Sequence, residues 1–266
     1  MWSSGRVEHA NLQISILMAC LTAFILGGIL YSRHLAGQGR SLFIRKIAGL
    51  SALDEAIGRA TEMGRPIMFI PGIRGFDIVA LQALMILSHV ARVAAKYGSR
   101  VIVPTCDSIV FTLAQDVTRE AYTAEDALEH HDPDDVRFLS DSQFAFASGV
   151  VGILNREKVA SACYFGAFFA ESLILAETGH QVGAVQIAGT TETMQVPFFL
   201  AACDYTIIGD EFYAASAYLS REPTLIGSLV GQDLAKAAII GLMVVGIVLA
   251  TIFGAQSGHL RALFGT

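Results

Sequence analysis

The sequence predicts an α/β protein: a doubly wound, mostly parallel, Rossmann-like sheet flanked by one N-terminal and one C-terminal transmembrane helix. Three observations carry this. Short apolar runs alternate with helical stretches from Arg65 to Thr193, the signature of linked βαβ units. The apolar runs are nearly continuous rather than alternating, as strands buried on both faces of a parallel sheet require. Finally, 53% of the 266 residues are apolar and only 16% are charged, with a mean hydropathy of +0.54. Soluble domains carry about 25% charged residues.

The apolar excess is concentrated at the two ends. Residues 14–31 contain no charge, just enough chain to cross a hydrocarbon core of about 30 Å. A secretory signal competes, because Leu17-Met-Ala-Cys20 has the form of a lipoprotein cleavage box. The apolar run continues well past Cys20, and Glu8 stands where a signal would be basic, so a retained helix is expected. Ala19, Ala23 and Gly27 recur at four-residue spacing. Such a face lets two helices approach closely and marks a helix–helix contact, although small residues are common in any spanning helix. Residues 237–254 form the second uncharged run, with Lys236 before it.

Arg33, Arg40, Arg45 and Lys46 follow the first span, and only Arg6 precedes it. The positive-inside bias then puts the intervening domain in the cytoplasm. The expected layout is an extracytoplasmic N-terminus (1–13), a span (14–31) and a basic juxtamembrane segment (32–50). A cytoplasmic α/β domain (51–233), a second span (237–254) and an extracytoplasmic tail (255–266) follow, all in the cytoplasmic (inner) membrane. Residues 41–50 read equally as an interfacial helix or a packed linker. The expected partners are the lipid bilayer, further copies of the chain and other membrane subunits. The net charge of −6 speaks against nucleic acid, which wants a basic patch.

Within the domain, Ser51-x-x-Asp54 reads as a capping box opening a helix over 52–63, closed by Gly64. Strands are expected at 66–70, 101–103, 136–139, 159–165 and 183–188. Helices are expected at 78–97, 109–122, 143–154 and 168–178, the last ending at Gly179. Residues 124–135 are acidic and polar, so they read as a surface loop. Residues 196–203 form either a helix starting near Pro197 or a strand paired with 205–208. A final helix covers 210–220.

Open parallel sheets bind ligands beyond the carboxyl ends of their strands. Those ends carry Gly72, Arg74, Gly75 and Asp77, then Thr105 and Asp107, then Asp141 and Ser142, then Gly189, Thr190, Thr191 and Glu192. The Arg74 fork suits a phosphate or carboxylate. Gly189-Thr-Thr-Glu-Thr193 at a helix start would be an anion cradle, or simply a threonine cap. The plainer reading of Asp77, Asp107, Asp141 and the serines beside them is helix capping. Gly72 and Gly75 fit a tight turn with positive φ.

Known catalytic signatures are missing. Gly72-Ile-Arg-Gly75 is neither a dinucleotide fingerprint nor a phosphate loop, and no GxSxG or HExxH occurs. No catalytic residue, metal ligand or cofactor is predicted. His130 and His131 lie in the acidic loop without zinc spacing. The four cysteines form no CxxC pair and read as buried thiols. Glu171, in an apolar run, is expected to be hydrogen-bonded or paired, since a buried carboxylate is costly otherwise.

Three stretches carry a family resemblance: Phe43-Ile-Arg-Lys-Ile-Ala-Gly through Gly64-Arg-Pro66, Ala170-Glu-Ser-Leu-Ile-Leu-Ala-Glu-Thr-Gly179, and Tyr213-Ala-Ala-Ser-Ala-Tyr-Leu-Ser-Arg-Glu-Pro223. They resemble a bacterial and archaeal family of membrane proteins whose domain is labelled as of unknown function. The resemblance covers residues 43–233. It implies a membrane-associated α/β domain and no particular reaction.

The leading expectation is a self-assembling scaffold or structural subunit of a membrane complex. A second is a sensor of a nucleotide or other anion near Arg74, Asp107 and Thr190. A third is a hydrolase holding a divalent metal on Asp77, Asp107 and Asp141.

Overall fold

The computed structural model describes residues 12–37, 48–220 and 223–253. It divides into two compact units, an α/β domain within Arg45–Ser220 and a unit built from the two ends of the chain. In chain order the elements begin with α1 (Leu12–Gly37), α2 (Ala48–Met63), β1 (Ile67–Ile70), α3 (Ile78–Lys96), β2 (Val101–Thr105) and α4 (Ser108–Ala124). After two short 3-10 turns come β3 (Val136–Phe138), α5 (Gln143–Glu157), β4 (Ser161–Phe165), α6 (Glu171–Gln181) and β5 (Val185–Thr190). The chain continues through α7 (Val196–Ala202), β6 (Tyr205–Ile208), α8 (Asp210–Ser220) and α9 (Pro223–Phe253).

The six strands form one all-parallel sheet in the order β3-β2-β1-β4-β5-β6. This is the doubly wound α/β arrangement, with the order reversing between β1 and β4. Every residue of β1, β2 and β4 is buried, which is why these strands read as unbroken apolar runs. Alternate residues serve opposite layers, as the two-residue strand period dictates. Phe69, Cys163 and Phe165 pack with Leu53, Leu87 and Phe212 on one face. Met68, Ile70 and Tyr164 pack with Phe146, Phe168 and Phe199 on the other. Each fully buried side chain of this size contributes about 1.5–3 kcal/mol.

Several local expectations are corrected. Helix α2 already begins at Ala48, so Ser51 lies inside it and does not cap it. Asp54 instead meets His89 Nε2 at 3.2 Å. Strand β2 runs on through Pro104 to Thr105. The proline is tolerated because the β1 ladder pairs only Val101 and Ile102, leaving Pro104 beyond it. Helix α6 passes through Gly179 to Gln181, and the turn is made by Gly183 at φ +74°. Gly179 is a packing glycine: a Cβ there would stand 2.7 Å from the Tyr164 hydroxyl. Residues 196–202 are helical, and β6 pairs with β5 as a sixth parallel strand.

The acidic loop is anchored, not merely solvated. Asp135 is buried and takes both arms of Arg100, at 2.5 Å from Nη2 and 3.1 Å from Nε. Its carboxylate raises the Arg100 pKa above the ordinary value, chiefly through the hydrogen bond. Cys106 and Cys163 are buried as expected and Cys203 nearly so, but Cys20 is exposed on α1.

In the other unit, α1 and α9 pack antiparallel on glycines. A Cβ at Gly231 would stand 2.7 Å from Ile29 Cα, one at Gly227 2.5 Å from Arg33 Cα, and one at Gly28 3.2 Å from Leu234 Cδ2. Gly227 and Gly231 are four apart, the spacing that brings helix backbones close. Ala19, Ala23 and Gly27 are exposed, and nothing approaches the Cβ position of Gly27. They take no part in this contact.

Among the described residues two helical stretches have the length and hydropathy of a membrane span. Ile78–Lys96 is 61% buried and is the core helix α3, whereas Thr224–Val248 is only 6% buried. Helix α1 encloses the first expected span, and α9 the second up to Phe253. Arg40, Arg45, Lys46, segment 41–47, both outer tails and Gly254 lie outside the described residues.

Candidate functional site

The switch point between β1 and β4 is where this architecture places a ligand crevice. Here main chain closes it. Gly72 and Gly166 have φ of +87° and +145°, conformations that disfavour a side chain. A Cβ on Gly72 would lie 2.7 Å from Ala167 N, and Ile73 N donates to Ala167 O at 2.9 Å. The Cys106 thiol faces Gly72 O at 3.7 Å. The loops after β1, β2 and β4 therefore interlock.

Most of the expected ligand-binding side chains are engaged within the chain. Asp77 accepts from Ala80 N at 2.8 Å and caps α3. Asp107 accepts from Ile109 N and Val110 N, both at 2.9 Å, and caps α4. Gly75, at φ +85°, lies against Asp107, with a notional Cβ 3.4 Å from Oδ2. Arg74 forms an ion pair with Glu192 and stands over the Phe169 ring, 5.6 Å from its centroid. It thereby straps the β1 loop to the β5 loop across the β4 loop.

The remaining residues fall elsewhere. Asp141 is exposed on the rim, and Ser142, at the N-cap of α5, makes no side-chain cap. Gly189 and Thr190 belong to β5, and no helix begins until Val196. The cradle expected at a helix start is therefore not formed. Gly189 makes room for Phe165, whose Cδ1 would lie 2.6 Å from a Cβ. Thr190 is fully buried and its Oγ1 accepts from Glu192 N at 3.1 Å, while Thr191 is half-buried. Asp77, Asp107 and Asp141 do not converge: among the described residues no three His, Cys, Asp or Glu side chains are grouped to hold a metal ion.

Glu171 is the residue whose role emerges only in three dimensions. It is fully buried beside the crevice. Its Oε2 accepts from Gln143 Nε2 at 2.6 Å and its Oε1 from Phe169 N at 2.8 Å. A lone glutamate in an apolar run is the sequence signal for such a satisfied carboxylate. Burial first, then the carboxylates of Asp107, Glu171 and Asp141, push the Cys106 thiol up to about 11. The thiolate is the reactive form, so Cys106 is inert at neutral pH. Open grooves of about 400 Å³ beside α4 and about 290 Å³ beside α2 are lined by other residues.

Around the closed crevice the surface is apolar. Phe76 is 48% exposed, Phe144 59% and Met194 79%, and Ile78, Ile109 and Phe169 are exposed with them. Each follows the carboxyl end of a strand.

A family described as "Domain of unknown function (DUF6754)" matches residues 6–260. The chain belongs to the DUF6754 family. The match takes in α1 and α9 as well as the sheet, so both terminal helices are part of what defines a DUF6754 chain. No curated protein and no solved structure matches this DUF6754 chain.

Proposed function

We propose that this DUF6754 protein is a membrane-anchored structural subunit whose α/β domain self-assembles into a scaffold. The observation that carries the reading is the carboxyl-end face itself. Main chain fills its crevice, capping and ion pairing occupy most of its polar groups, and large apolar side chains stand in solvent around it. Exposed apolar patches of this kind mark interaction surfaces. Phe169, Leu173, Ile174, Phe198 and Leu200 extend the exposed apolar surface over α6 and α7.

In this reading α1 and α9 hold the protein in the inner membrane of a bacterium or archaeon. The cations after the first span keep the domain on the cytoplasmic side. The family resemblance and the exposed apolar length of α9 support this setting. The test is the mass of the particle extracted in mild detergent, measured by light scattering and corrected for the micelle. A uniform oligomer is expected. A monodisperse monomer would remove the reading.

A further inference from the structure

All six strands point the same way, so their carboxyl ends share one face and their amino ends the opposite one. The two faces differ in charge. Among the described residues of the carboxyl-end loops that follow β1 to β5, Asp77, Asp107, Asp141 and Glu192 stand against one cation, Arg74. Phe76, Ile109, Phe144, Phe169 and Met194 are interleaved with them and exposed.

On the opposite face, at the amino ends of the two central strands, lie Arg65, Arg156 and Lys158. They are clustered, because Arg65 Nε donates to the Lys158 carbonyl. None of the three enters an ion pair among the described residues, unlike Arg100 and Lys96 nearby. Met63 and Tyr97 are exposed on the same face.

We propose that the α/β domains associate head to tail, the acidic, apolar carboxyl-end face of one copy seated on the basic amino-end face of the next. This deepens the scaffold reading and rests on it, naming the surfaces that assembly would use. A contact between two different faces is heterologous and builds rings or open filaments. A specific interface buries about 800 Å² per partner. The exposed aromatics and methionine supply its apolar centre, and the charges set register and steer encounter. An anionic lipid leaflet fits the carboxyl-end face badly, because the acids there repel it.

The test uses the full chain in mild detergent at low salt, read by light scattering. Asp141→Arg reverses charge on one face, and Arg156→Glu with Lys158→Glu reverses it on the other. All three side chains are exposed, so the melting temperature should hold. Each one-sided variant is expected to fall to monomer mass, and the protein carrying both reversals to regain the assembly. Phe144→Ser is expected to lose the assembly at any salt concentration. An oligomer indifferent to these changes, or no recovery in the combined variant, overturns the head-to-tail contact and leaves self-assembly standing. A monomeric wild-type protein overturns both.

Discussion

Gly72 and Gly166 meet across the β1–β4 switch point so closely that neither has room for a methyl group. Their positive φ angles let the two loops touch through main chain. The place where a doubly wound sheet holds its ligand is here a backbone seam.

Gly72→Ala and Gly166→Ala should each lower stability by at least about 2 kcal/mol, from backbone strain together with the clash. Thermal unfolding of the intact protein in detergent measures this. Gly64, at φ +61° with open space around it, is the control: Gly64→Ala carries the strain without the clash and should lose less.

The Glu171 carboxylate depends on Gln143. Gln143→Leu removes a donor from a fully buried carboxylate and should cost about 1–3 kcal/mol. Glu171→Gln keeps the shape and removes the charge, so its loss should be smaller. Equal losses in the two melts would contradict this account.

Burial raises Cys106 to about 11, Cys163 and Cys203 to about 12, and Tyr122 to about 12. Unfolded thiols titrate near 8.5 and phenols near 10. Folding thus favours the protonated forms. That contribution is whole below about pH 8.5 and is lost as pH rises through 11. The melting temperature should therefore fall steadily between pH 9 and 11. At pH 7.5 a maleimide should modify at most Cys20 in the native protein and four cysteines after denaturation, as intact mass would report.

The strap made by Arg74, Glu192 and Phe169 is partly exposed. Such ion pairs contribute little, about 0–1 kcal/mol. Arg74→Ala should leave the melting temperature nearly unchanged. A loss of several kcal/mol would mean that the strap holds the crevice shut.

The α1–α9 pairing can be read by cross-linking. Cysteines at Gly28 and Leu234, in a protein lacking Cys20, should join on oxidation, since those positions touch. Adding Gly231→Leu, which drives a side chain into Ile29, should abolish the cross-link.

The strands were legible because burial on both faces leaves apolar runs such as Ile67–Ile70 that no other environment favours. Asp77 and Asp107 were legible as caps because their residue type and position suffice. Glu171 and Asp135 were not, because their partners, Gln143 and Arg100, lie 28 and 35 positions away. Gly179 looked like a helix end, and only the buried Tyr164 and Gln186 beside it explain a glycine inside α6. The start of α2 was misread because Leu50 and Leu53 bury against the domain, overriding the capping signal at Ser51. Gly227 and Gly231 escaped notice because Gln232 and Asp233 follow directly and mask an apolar helix face.

Helix α9 runs unbroken for 31 residues, about 46 Å at the usual rise per residue. A hydrocarbon layer is about 30 Å deep, so roughly a third of the rod must stand clear of it. Proline occurs in α9 only at its first residue, so nothing in its interior acts as a joint. Any change in bilayer thickness that alters the tilt of the buried part is delivered whole, as a lever delivers it, to the end at Pro223.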